Sequence, residues 1–192
     1  MLLRYYLIIW LFLVCVIEIK SQAQDSSYLN KEKLSWFISV NYGAQMSGIK
    51  DEDFVSTNYS PLLNITLGKV FSPLFSIQLG YKGFYFNYID DDFKHHYNFY
   101  YAEVLFSPIN ALYPTRNNKD WDLMLHAGIG IFDNNFLNKN QGCVNVGVQN
   151  NFKITDNIQA IIDISSIVGW RIYQGDEDIL PSISVGIIYL FE

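Results

Sequence analysis

Leu34-Ser35-Trp36-Phe37-Ile38-Ser39-Val40-Asn41-Tyr42-Gly43-Ala44-Gln45-Met46 is the stretch on which the fold turns. Successive side chains of a β-strand point to opposite faces, so Leu34, Trp36, Ile38, Val40, Tyr42, Ala44 and Met46 share one side. Ser35, Phe37, Ser39, Asn41, Gly43 and Gln45 take the other. Strands of soluble proteins average about five or six residues, whereas this run has the length that crosses a bilayer at a tilt. Its second face is also wrong for water: Lys, Glu and Thr are missing, and small or amide side chains of the kind that fill a narrow barrel lumen stand in their place.

The alternation recurs along the chain. Its apolar faces read Leu63, Ile65 and Leu67 over 59–70; Phe75, Ile77, Leu79, Tyr81 and Tyr85 over 74–88; and Tyr100, Ala102, Val104 and Phe106 over 96–107. The second half continues with 121–132 (Trp121 to Ile131), 141–152 (Val144, Val146, Val148), 158–170 (Ile158 to Trp170) and 179–191 (Ile183 to Phe191). Eight strands result, and bacterial single-chain membrane barrels have an even number. A soluble sandwich would turn the same apolar faces inward, but the strand length and the small polar residues favour a barrel facing lipid. The expected fold is all-β: an eight-stranded antiparallel up-and-down transmembrane β-barrel over 34–192.

Upstream, Arg4, the apolar run Tyr5–Ile17 and the small-x-small triplet Ser21-Gln22-Ala23 read as a cleaved signal peptide over 1–23, followed by a periplasmic leader over 24–33. A transmembrane anchor would need about 20 apolar residues, and Glu18 and Lys20 interrupt the run before that. Cys15 lies inside the apolar run behind Val14, where lipoprotein processing wants a small residue, so lipidation is not expected. The signal carries Arg4 and Lys20 against Glu18, a net +1, so the formal charge of −6 becomes −7 without it. That balance argues against nucleic acid as a partner. It also leaves Cys143 alone, excluding an internal disulfide.

Charge sorts between alternate connections. Asp51-Glu52-Asp53, Asp90-Asp91-Asp92 and Asp176-Glu177-Asp178 fall on odd connections, and Lys69, Arg116, Lys119 and Lys153 on even ones. Short turns at Phe71-Ser72-Pro73 and at 153–157 suit the periplasmic side, which would also hold both termini. The connection at 108–120 is longer than such a turn requires. Aromatic residues gather near strand ends, as both membrane interfaces favour. Trp36, Phe75, Phe106, Trp121, Phe152, Tyr189 and Phe191 form one expected girdle, and Tyr85, Tyr97, Tyr100 and Trp170 the other.

The run Phe71-Ser72-Pro73-Leu74-Phe75-Ser76-Ile77-Gln78-Leu79-Gly80-Tyr81, the strand Ala127-Gly128-Ile129-Gly130 and the ending Val185-Gly186-Ile187-Ile188-Tyr189-Leu190-Phe191 resemble the small OmpA-like outer-membrane β-barrels, the outer membrane protein β-barrel domain proteins grouped with porin-family sequences. The resemblance spans Leu34 to Phe191. It implies Sec-dependent export to the outer membrane of a Gram-negative envelope, and outer-membrane lipids and lipopolysaccharide as surroundings. It also implies a barrel-assembly machinery that reads the terminal aromatic. Here Phe191 is followed by Glu192, a departure from the family ending. The peptidoglycan-binding domain of full OmpA proteins does not follow, so cell-wall tethering is not implied.

A charged side chain facing lipid at the midplane is penalised by about 2–4 kcal/mol. Lys82, Glu103, Asp122, His126 and Asp163 all have the parity of the polar faces and are expected to form a polar network in the lumen. A regular hairpin turning at Asp91–Lys94, centred between Asp92 and Phe93, would set Lys82 directly opposite Glu103 as a cross-strand ion pair. Such a network plugs the lumen; a gate for ions is the other reading. Asp90, Asp91, Asp92, His95 and His96 offer oxygen and imidazole groups for a weak cation site, but without a calcium-loop spacing a solvated acidic loop is the plainer reading. Deacylase-type barrels place His and Ser two apart on one strand; here His96 precedes Asn98 and His126 precedes Gly128. No H-E-x-x-H or G-x-S-x-G is present. The expectation is a non-enzymatic monomer with a filled lumen, without catalytic residues, metal or cofactor, in a structural or surface-interaction role. A narrow porin-like channel and an adhesin or ligand-binding module are the alternatives.

Overall fold

The computed structural model describes residues 35–46, 59–87, 94–114, 120–135, 138–170 and 177–191. The signal peptide, the leader and Asp90–Asp92 lie outside these residues. Eight strands follow in chain order: β1 (Trp36–Met46), β2 (Tyr59–Val70), β3 (Phe75–Asn87), β4 (Lys94–Phe106), β5 (Trp121–Asn134), β6 (Lys139–Lys153), β7 (Ile158–Trp170) and β8 (Glu177–Phe191). A short helix, α1 (Pro108–Leu112), lies between β4 and β5. Each strand pairs antiparallel with the next, and β8 returns to β1, which closes the barrel. Closure removes the unpaired edges that an open sheet would present. Strands of 11 to 15 residues match the expected segments, and β2 and β7 coincide with them.

The side chains sort by parity. On β1, Trp36, Ile38, Val40 and Tyr42 are exposed on the outer surface, while Phe37, Ser39 and Asn41 are buried inside. Leu79, Ile129 and Val185 carry the apolar exterior around the barrel, and Gln78, Asn145 and Ser184 stand on the inner side. Among the described residues no helix is long and apolar enough to cross a membrane; the apolar belt is carried entirely by strands. Proline, which lacks a ladder donor, is placed where a ladder stops. The β2–β3 ladder ends at Leu62↔Phe84, next to Pro61, and the β1–β8 ladder ends at Gln45↔Ser182, next to Pro181.

At the end where β1 starts and β8 finishes, the turns 71–74 and 154–157 are closed by Phe71 N–H donating to Phe75 O (3.0 Å) and Ile154 N–H donating to Ile158 O (2.9 Å). The long connection has a physical cause. Ser107 caps α1 by accepting from Asn110 N–H, and Pro108 stands in the first turn, where a missing donor does no harm. The Ser107 hydroxyl donates to Asp122 Oδ1 (2.7 Å), and Asn110 Nδ2 donates to Pro73 O (3.0 Å) and Asp122 Oδ2 (3.2 Å). The helix is thereby tied to two neighbouring elements.

The interior is layered. Tyr97, Phe99, Tyr101, Phe132, Cys143, Ile167 and Leu180 form an apolar cluster, and Phe37, Ile161 and Ile188 form a second one. Tyr97 corrects an expectation. Its place near a strand end predicts the outer rim beside Tyr100, but only 1% of it is exposed, its ring stacks on Phe132 at 4.8 Å, and its hydroxyl donates to Gln45 inside the barrel. Its odd number on β4 sets it on the face opposite Tyr100, and parity prevails over proximity in the chain. The side chains of Tyr85 and Trp170 lie outside the described residues.

Candidate functional site: a charged network in the barrel lumen

Glu103 on β4, His126 on β5 and Asp163 on β7 come from three strands and meet inside the barrel. His126 Nε2 lies 2.9 Å from Asp163 Oδ2, and Nδ1 lies 3.2 Å from Glu103 Oε2. A doubly protonated ring offers an N–H to each carboxylate, whereas a neutral tautomer serves only one. Room for the ring and the Glu103 stem comes from facing glycines. Glu103 pairs with Gly128 and His126 with Gly147, and a Cβ at either glycine would run into the side chain opposite.

Lys82 enters from β3 and crosses the lumen. Its ammonium donates to Asn145 Oδ1 on β6 (3.1 Å) and to Ser165 Oγ on β7 (2.8 Å), and lies 5.5 Å from the centre of the Tyr101 ring. It also feels the charges of Asp163 and Glu103. The Ser165 hydroxyl donates to Asp163 Oδ1 (2.7 Å), and Asn145 Nδ2 donates to Glu103 Oε1. Gln78 Nε2 completes the set by donating to Glu103 Oε2 at 2.8 Å. Two carboxylates, an ammonium and an imidazole are thus joined through amides and one hydroxyl. Each of the four ionisable residues is 5% exposed or less. Every such group has a hydrogen-bonding or ionic partner, as burial in a low dielectric demands.

The register of β3 and β4 overturns the proposed direct pair. Lys82 faces Phe99, and Glu103 faces Gln78, a ladder slipped by four residues from the expected register. The difference is a slip of an even number of residues, which leaves every side chain on its own face and therefore invisible to the alternation. Lys82 and Glu103 remain in one network, joined through Asn145 rather than across the ladder.

Of the five residues expected in the network, Lys82, Glu103, His126 and Asp163 come together. Asp122 does not share this centre; its carboxylate accepts from Ser107 and Asn110 and holds α1. His96 is exposed on β4, and His95 lies on the same strand with its side chain undescribed. Among the described residues, no group of three or more His, Cys, Asp or Glu gathers to hold a metal. Gln78, Asn145 and Ser165 were not singled out from the sequence. They share the inward parity of the charged residues, but amides and hydroxyls of that kind occur on every strand.

Compared with solved structures, the chain is similar to the N-terminal β-barrel domain of Pseudomonas aeruginosa OprF, with 12% identity and a TM-score of 0.55, over 82% of this chain and 98% of that one. It is also similar to Neisserial surface protein A, with 10% identity and a TM-score of 0.54, over 80% of this chain and 96% of that one. No family model matches the sequence, and no curated protein does.

Proposed function

We propose that this chain, which has the eight-stranded closed-barrel fold of the small outer-membrane proteins, is an integral outer-membrane protein with a lumen closed by its own side chains. Its task is structural or lies in surface interaction, not conduction or catalysis. One observation carries the reading: Lys82 spans the lumen from β3 to β6 and β7, with an apolar cluster of Tyr97, Phe99 and Phe132 packed in the same interior. Catalysis is disfavoured by the same geometry. Ser165 lies beside Lys82 and Asp163, but its hydroxyl proton is committed to a carboxylate, and 4% exposure denies access to a substrate.

The apolar belt meets membrane lipid, the end of the barrel where β1 finishes and β8 begins is turned toward lipopolysaccharide, ligands or surfaces, and the end where β1 begins and β8 finishes lies on the periplasmic side. The protein is exported by a cleaved signal peptide, is inserted by the barrel-assembly machinery and works as a monomer. Two measurements test the reading. Detergent-extracted protein should migrate differently on a gel before and after boiling, and recovery in the soluble periplasmic fraction would refute the membrane location. In planar bilayers the wild-type barrel should be silent; steady ion flow that Lys82→Ala abolishes or enlarges would establish the narrow channel instead. With the bilayer silent, binding lost on deleting 90–94 would identify the surface-interaction role.

A further inference from the structure

Lys69 stands near the end of β2, on the outward face. The register gives it Trp36 on β1 and Ile77 on β3 as cross-strand neighbours, and Leu67 and Phe71 flank it along the chain on the same face. All four are exposed apolar side chains. The ammonium sits 5.0 Å from the centre of the Trp36 ring and 5.9 Å from that of Phe71. Among the described residues, no carboxylate lies within ion-pair reach of it. Lys153, at the same end of the barrel, differs in this respect: its ammonium is 2.7 Å from Asp156 Oδ1.

A cation surrounded by apolar surface requires a counter-ion or water, and aromatic rings hold it at the level where hydrocarbon gives way to headgroups. We propose that Lys69, held between the Trp36 and Phe71 rings, binds the phosphate of a glycerophospholipid in the leaflet at the end where β1 begins and β8 finishes. The site rests on the reading that the apolar belt meets lipid. The belt is continuous with it, through Leu67 and Ile65 along β2 and Ile38 and Val40 along β1. The lysine stem and rings cover the upper acyl chain while the ammonium takes the phosphate oxygens.

The test uses full-length protein with nitrogen-15 in its lysine side chains, reconstituted in vesicles of phosphatidylethanolamine and phosphatidylglycerol. Phosphorus-31 should dephase a lysine Nζ signal that is lost in Lys69→Gln and kept in Lys153→Gln, with both variants retaining the gel shift on heating. Protein that floats with the vesicles and shows the gel shift, yet has no dephased signal dependent on Lys69, would overturn the site and leave the barrel reading intact. Protein that fails to float would refute the lipid belt and the site with it. In phosphorus-free maltoside micelles, inorganic phosphate should not reproduce the dephasing; equal dephasing there would overturn the assignment to lipid.

Discussion

Lys82, Glu103, His126 and Asp163 are all buried, so removing one leaves its partners charged and unmatched. Breaking a buried pair of this kind typically costs about 3–5 kcal/mol, more than replacing the whole set. Lys82→Met should destabilise the barrel by that order in urea unfolding from lipid vesicles, and adding Glu103→Gln should restore part of the loss. Equal or additive losses would separate the two residues energetically. Gly128→Ala tests the close approach, since its Cβ would meet Glu103 Cγ and the Ala102 carbonyl. A loss of about 1–3 kcal/mol is expected from overpacking in the same assay. In the 154–157 turn, the Lys153 ammonium holds the Asp156 carboxyl below its ordinary value. A lowered carboxyl contributes stability above the ordinary Asp range and loses it as pH falls through the lowered value. Because both groups are solvated, Lys153→Gln should return the Asp156 titration to normal, followed by NMR, with almost no change in unfolding.

At the scale of elements, the hairpins separate what a pattern carries from what it does not. The alternation of β3 and β4 places Lys82 and Glu103 inside without specifying which residues oppose, because a slip by two or four preserves both faces. The observed pairing of Gln78 with Glu103 is decided by the hairpin and by closure with the other strands. The connection after β4 is similar: Ser107-Pro108 is a readable helix start, but its tie to Asp122 on β5 and to Pro73 O spans separate hairpins. Ser107→Ala removes both the cap and the bond to Asp122 and should cost about 1–2 kcal/mol. Hydrogen exchange should accelerate at the α1 amides while the strand ladders stay protected; uniform acceleration would mean that the helix supports the whole barrel.

For the whole molecule, the central quantity is which surface meets hydrocarbon. Val146 and Ile162 lie on the outer face of adjacent strands, about two-fifths exposed at 41% and 39%, while Asn145 and Asp163, one position along, are buried. Spin labels at Val146 and Ile162 should report lipid contact in reconstituted vesicles, and collision with a water-soluble relaxant there would defeat the membrane reading. Alternation of period two, long strands and small polar second faces were sufficient in the sequence to establish eight strands and the side each residue takes, because face is a local property of an extended backbone. Inward parity likewise marked Lys82, Glu103, His126 and Asp163 as lumen residues. Their partners were settled only by closure. Lys82 reaches Asn145 and Ser165, residues 63 and 83 positions away, because the curved sheet brings β3 across from β6 and β7. The distance between strands across a lumen depends on the tilt and stagger of all eight together, and no single segment carries that information.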